Sequence, residues 1–151
     1  MSGKPRSGPR STVRNLQRKV PVDIVDLEKF ARKAVQFCLD MRRDRRTDLG
    51  QLQEIFVFIV SDRRIASLHR QFMNQPGPTD VLTFQHGEIF VSAETARRNA
   101  RRFATTLARE LGLYIVHGLL HLHGFDDATR AGEQKMKAIQ QRILDCVGAL
   151  N

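Results

Sequence analysis

Between Leu111 and Leu122 the chain reads LGLYIVHGLLHL, apolar on nearly every side of a 3.6-residue turn. A helix that is apolar all round cannot lie on a surface, so other elements must wrap it. This segment therefore demands a fold built around a central, buried helix. Thr105 or Thr106 can open that helix and Gly124 can close it. No stretch of about 18 apolar residues occurs, which excludes a membrane-spanning helix.

The flanking periodicities supply the wrapping. Val13 to Val20 reads as an edge-like strand closed by Pro21. Asp23 can cap a helix whose inward positions are Leu27, Phe30, Ala31, Ala34, Cys38 and Met41. Arg42 to Gly50 is a charged loop, and Glu54 to Val60 (EIFVFIV) is a strand buried on both faces. Ser61 or Asp62 opens a helix with Ile65, Leu68 and Phe72 on one side, and Asn74 to Thr79 is a Pro/Gly loop. Val81 to Phe84 and Glu88 to Ser92 form a hairpin turning at Gln85 to Gly87. Helices follow from Ser92 and from Thr129 to Val147, the last with Met136, Ile139, Ile143 and Cys146 inward. Strands and helices alternate irregularly, which predicts an α+β layer fold rather than a doubly wound sheet.

A length of 151 residues suits one domain, expected over 13–151, with a core that needs no disulfides. Cys38 and Cys146 are read as buried core thiols in a reducing compartment. Basic residues outnumber acidic ones 25 to 16. Much of the excess is N-terminal: Lys4, Arg6, Arg10, Arg14, Arg18 and Lys19 precede the first acidic residue. Residues 1–12, rich in Gly, Pro and Ser, are expected to form a disordered basic arm. Arg97, Arg98, Arg101 and Arg102 share a helical face, either a solvated stripe or a surface for RNA phosphates.

His117 and His121 stand at i and i+4 on the buried helix, so both imidazoles occupy one face. Titratable rings on so apolar a helix need partners, either core hydrogen bonds or a metal ion. After Gly124 a reversal brings Asp126 or Asp127 back toward the pair as a third ligand. Two His and a carboxylate form a recurrent catalytic zinc set, and Fe(II) or Mn(II) also suit it. His123 should point elsewhere, and Asp126 is alternatively a residue that orients a ligand His. Gly118 stands where the zinc-peptidase motif H-E-x-x-H carries its general base, which argues against peptide hydrolysis by that route. A glycine there suggests close approach of another group.

The run His117-Gly-Leu-Leu-His121-Leu-His-Gly124-Phe-Asp126-Asp127 resembles the YbeY signature H-G-x-L-H-L-x-G-[YF]-D-H. Upstream, Pro78 to Phe84 (PTDVLTF) resembles the family's P-T-D-V-L-S-F, and Gly87-Glu88-Ile89 its G-D-I. The likeness spans roughly residues 13–148. It implies a metal-dependent endoribonuclease with an α+β fold, a mixed four-stranded sheet and the metal helix packed on it. It also implies one zinc per chain, single-stranded or ribosomal RNA as substrate, and the ribosomal small subunit as partner. The associated roles are maturation of the 3′ end of the small-subunit ribosomal RNA and ribosome quality control. Because the likeness starts near residue 13, little room remains for a transit peptide, and a cytoplasmic location is expected.

Two positions depart from the family pattern. Asp127 holds the slot of the usual third metal His; its negative charge would lower the metal's Lewis acidity and leaves room for Fe or Mn. Met73 holds the slot of a usual Arg, for which Arg70, on the same face, can substitute. Expected metal ligands are thus His117, His121 and Asp127. Expected RNA contacts are Arg70, Arg97, Arg98, Arg101 and Arg102, and no general base is assignable. The departures motivate a second reading, a catalytically weak ribosome-assembly or RNA-binding factor with a structural metal.

Overall fold

A computed structural model describes residues 8–148. The chain runs β1 (Arg10–Asn15), α1 (Ile24–Asp40), α2 (Asp48–Gln51), β2 (Glu54–Val60), α3 (Asp62–Met73), β3 (Val81–Phe84), β4 (Glu88–Ser92), α4 (Ala93–Arg102), α5 (Leu107–Leu122) and α6 (Arg130–Val147). The sheet order is β1-β2-β4-β3. β1 and β4 pair parallel to β2, and β3 pairs antiparallel to β4, giving the mixed four-stranded sheet expected.

α5 lies at the centre. Leu111, Ile115, Val116, Leu119 and Leu120 are fully buried and share one core with α1, α6 and one face of the sheet. The opposite sheet face carries a smaller cluster, Val60, Ile65 and Leu82, beneath α3. All six helices begin at a side-chain cap: Asp23, Thr47, Ser61, Ser92, Thr106 and Thr129 each accept a backbone N–H three residues on.

Three expectations need correction. The first strand is Arg10–Asn15, shifted toward the N-terminus from Val13 to Val20. Asn15 ends it by accepting the Gln17 N–H, and Gln17 then bonds both backbone groups of Val20, folding this stretch into a side-chain-tied turn. Arg10 to Thr12 therefore belong to the sheet, while residues 1–7 of the expected basic arm lie outside the described residues. Within the expected 42–50 loop, Thr47 caps the single turn α2, anchored by fully buried Leu49. Cys38 is buried, but Cys146 is exposed. The inward face of α6 is Met136, Gln140, Ile143 and Leu144, because Gln140 bonds to α5 and rotates Cys146 outward.

Two glycines set the course of α5. A Cβ on Gly118 would lie 2.9 Å from Ile89 and from Thr83 Oγ1, so α5 rests directly on β4 and β3. No longer side chain fits there, which explains why a Glu does not occupy the position. Gly124 has φ +89°, and beyond it Gly124 N–H bonds the His121 carbonyl while Phe125 N–H bonds the Leu120 carbonyl. This is a Schellman closure, and it turns the chain back along α5.

Helix propensity alone would make Gly118→Ala stabilising by about 1 kcal/mol. Overpacking against Ile89 and Thr83 costs about 1–3 kcal/mol. We expect Gly118→Ala to be net destabilising by about 1 kcal/mol and Gly118→Val by several, measured by urea denaturation. A more stable Ala variant would show that the contact relaxes freely.

Candidate metal centre

Glu110, Tyr114, His117 and His121 line up on one side of α5, a polar stripe on an otherwise apolar helix. Each outer member finds a neighbour. The Tyr114 hydroxyl accepts from Asn99 Nδ2 at 2.8 Å, and burial together with nearby Asp80 pushes the Glu110 carboxyl up. His117 Nδ1 lies 2.6 Å from Gln140 Oε1, on buried Gln140 of α6. The amide oxygen accepts the Nδ1 proton, which leaves the Nε2 lone pair free on the other side of the ring.

His117 Nε2 and His121 Nε2 face each other at 3.1 Å. The Schellman turn returns Asp127 to them, with its two oxygens 3.5 Å from His117 Nε2 and 3.6 Å from His121 Nε2. Two ligands at ~2.0–2.1 Å on a tetrahedral ion stand about 3.3 Å apart, close to all three separations. The residues therefore fit a metal ion, and His117, His121 and Asp127 form a group able to hold one. Burial, then the neighbouring His117, hold the His121 imidazole below its ordinary value against the opposing pull of Asp127 and Asp126. A neutral imidazole is the form that ligates.

Of the two carboxylates left open by the sequence, Asp127 meets the histidines. Asp126 instead accepts the Ala128 N–H in a local turn. His123 points away, as expected: Nε2 donates to the Met41 carbonyl at 3.0 Å and Nδ1 pairs with Thr47 Oγ1 at 2.9 Å. Arg43 donates to the Gly124 carbonyl at 3.1 Å, with its guanidinium 3.9 Å from the Phe125 ring centre. These contacts pin the turn that presents Asp127, and sequence reasoning missed both Arg43 and Gln140. Neither carries a local signal: one sits in a charge run, the other in a polar stretch of α6.

Two clefts border the group. One of about 340 Å³ is lined by Asp48, Met73, Thr83, Gln85, His117 and His121, the other of about 290 Å³ by Asp80, Tyr114, Asp127, Lys137 and Gln140 among others. Met73 is 48% exposed and Phe72, beside it, 56%, resting edge-on against Phe84. Arg70 is exposed on α3 but lines neither cleft.

The α4 arginines divide. Arg101 and Arg102 are exposed, with Arg102 over Phe103, while Arg97 is half-buried. Arg98 is engaged: its NH1 donates to Asp62 Oδ2 at 2.6 Å, and Ser92 and Thr95 donate to Asp62 Oδ1. Partial burial raises the Asp62 carboxyl, but the bonds from Arg98, Ser92 and Thr95 outweigh it and hold the group below its ordinary 3.8.

That network generates a pH signature. On acidification the unfolded chain takes up this proton first, so the contribution is complete above pH 3.8 and is lost as pH falls through the lower folded-state value. Asp62→Asn should cost about 1 kcal/mol at pH 7, with the gap to wild type closing below pH 3.8. Urea denaturation across pH checks this; a gap independent of pH would remove the ionic component.

A family profile described as Endoribonuclease YbeY matches residues 12–148. A Bacillus subtilis protein named Endoribonuclease YbeY is 30% identical over 150 residues, 84% of this chain and 95% of the relative. A Thermobifida fusca protein of the same name is 32% identical over 136 residues, 79% of this chain and 84% of the relative. The solution structure of TM1509 from Thermotoga maritima superposes with a TM-score of 0.60 at 26% identity, covering 89% of this chain and 87% of that one. The match over residues 12–148 and these relatives together show that the chain belongs to the YbeY endoribonuclease family, a family of RNA-hydrolysing enzymes.

Proposed function

We propose that the protein is a zinc-dependent endoribonuclease that cuts single-stranded RNA during ribosomal RNA maturation, at the 3′ end of the small-subunit RNA, and serves ribosome quality control. The convergence of His117, His121 and Asp127, with every ligand atom within 4.8 Å of the others, carries the reading. Zinc is the first choice for two imidazoles and a carboxylate; Fe or Mn is admitted by the Asp127 oxygen. A bound ion would supply Lewis acidity toward a phosphoryl oxygen and activate a water for attack. The chain's own residues position the reaction. Gln140 orients His117, the Schellman turn presents Asp127, and Arg43 holds that turn. Phe72, exposed and next in sequence to the cleft residue Met73, offers an aromatic face to a base. Arg70, Arg97, Arg101 and Arg102 offer charge to RNA phosphates, and Arg98 does so only by releasing Asp62. On this reading the protein acts in the cytoplasm with the small subunit; among the described residues no helix is long and apolar enough to cross a membrane.

Wild-type protein purified without chelators should contain about one zinc per chain. His117→Ala and Asp127→Ala should lose most of it, with RNA cleavage falling on the order of 100-fold or more and RNA binding retained. Cleavage unaffected by His117→Ala would reject the site. A second reading rests on Met73, which leaves an apolar wall where a phosphate would pass. Zinc at full occupancy with RNA binding and no cleavage would establish that binding factor with a structural metal instead.

Gln140→Leu tests the orienting bond. It should lower zinc affinity about 10- to 100-fold in a chelator competition. Unchanged affinity would show that packing alone sets the His117 ring.

A further inference from the structure

No Lys or Arg is among the described residues lining the cleft beside His117 and His121. Asp48 adds a negative charge there, and Met73 adds none. A phosphodiester entering this cleft needs cations from its rim. The segment between Met41 and Thr47 reads Arg42-Arg43-Asp44-Arg45-Arg46, four guanidiniums against one carboxylate.

This charge run is not free to wander. At one end the Met41 carbonyl accepts from His123, and at the other Thr47 Oγ1 pairs with the same ring. In the middle Arg43 bonds Gly124 and covers Phe125. All three anchor points lie on the turn between His121 and Asp127. Asp48, which follows at once, is itself part of the cleft wall. The loop is therefore stapled along the rim of the candidate metal centre.

Arg43 is consumed by the stapling. Arg42, Arg45 and Arg46 are exposed and form no ion pair among the described residues; Arg46 contacts only the neutral amide of Gln51, at 3.0 Å. Exposed guanidiniums on a loop anchored beside that cleft, without an ion-pair partner among the described residues, suit phosphate oxygens. We infer that Arg42, Arg45 and Arg46 form a phosphate-binding strap, which grips the backbone of single-stranded RNA beside the cleft. This deepens the endoribonuclease reading and rests on it. Arg43 is a positioning residue, holding the strap to the turn.

Counterion release gives a test with a number. Each phosphate contact on a single strand contributes a slope of roughly −0.7 to log K against log salt. The probe is a labelled 2′-O-methyl oligoribonucleotide, checked by gel to stay intact, followed by fluorescence anisotropy across a KCl series. The variant is Arg42→Gln with Arg45→Gln and Arg46→Gln, keeping Arg43. The comparison variant is Lys29→Gln with Arg32→Gln and Lys33→Gln, which removes the same charge from the exposed side of α1. Thermal midpoints confirm that both fold.

The strap variant should reduce the slope's magnitude by about 2 and weaken binding about ten-fold or more near 0.1 M salt. The α1 variant should change both far less. Equal effects of the two variants would overturn the strap, because net charge alone would account for them. A strap variant with wild-type slope and affinity would overturn it while leaving RNA recognition standing. No binding by wild type at any salt would sink the RNA reading and the strap together.

Discussion

Two imidazoles on a helix with no exposed side must each find a partner, and much of the molecule answers that demand. One turn of α5 separates His117 from His121, which puts their Nε2 atoms 3.1 Å apart. Two lone pairs at that distance repel unless a proton or a cation lies between them. Gln140 removes freedom from one ring by accepting a hydrogen bond from its Nδ1–H. Burial, then His117, lower the other ring's tendency to take up a proton. What results is a pair of aimed lone pairs with a carboxylate opposite, an arrangement whose electrostatics favour a cation.

The helix can hold this geometry only because its other sides are packed without slack. Gly118 lets α5 settle against Ile89 and Thr83. That approach fixes the height of the histidines above β3 and β4, and so the depth of the cleft. The same closeness excludes a glutamate at this position, separating this site from the H-E-x-x-H peptidases on steric grounds as well as by sequence. At the helix end, Gly124 adopts a backbone conformation that L side chains rarely take, and the reversal it permits carries Asp127 back by one turn. Stability and site geometry thus rest on the same two glycines.

Much of this was legible in the sequence because it is local. The i, i+4 spacing fixes two histidines on one face, helix caps announce themselves as Asp, Ser or Thr, and Gly124 marks a reversal. Long-range partners were not legible. Gln140 sits 23 positions from His117, and only the crossing of α5 and α6 brings them together. Arg43 lies 81 positions from the carbonyl it bonds. The strand at Val13 to Val20 was misplaced because side-chain bonds from Asn15 and Gln17 overrode a weak apolar pattern. Cys146 is exposed, against the apolar pattern of α6, because the inward face includes the polar Gln140. The arginine stripe on α4 was real as a pattern, yet one member belongs to an Asp62 network that no helical wheel displays.

We propose His117, His121 and Asp127 as ligands to a single metal ion. X-ray absorption at the zinc edge on wild-type protein purified without chelators tests it most directly. Ligation by these three residues gives a shell of nitrogen and oxygen donors at ~2.0–2.2 Å, with the outer scattering of two imidazoles. A shell with sulfur, or one lacking imidazole scattering, would contradict it, as would zinc-free protein that takes up no metal on titration.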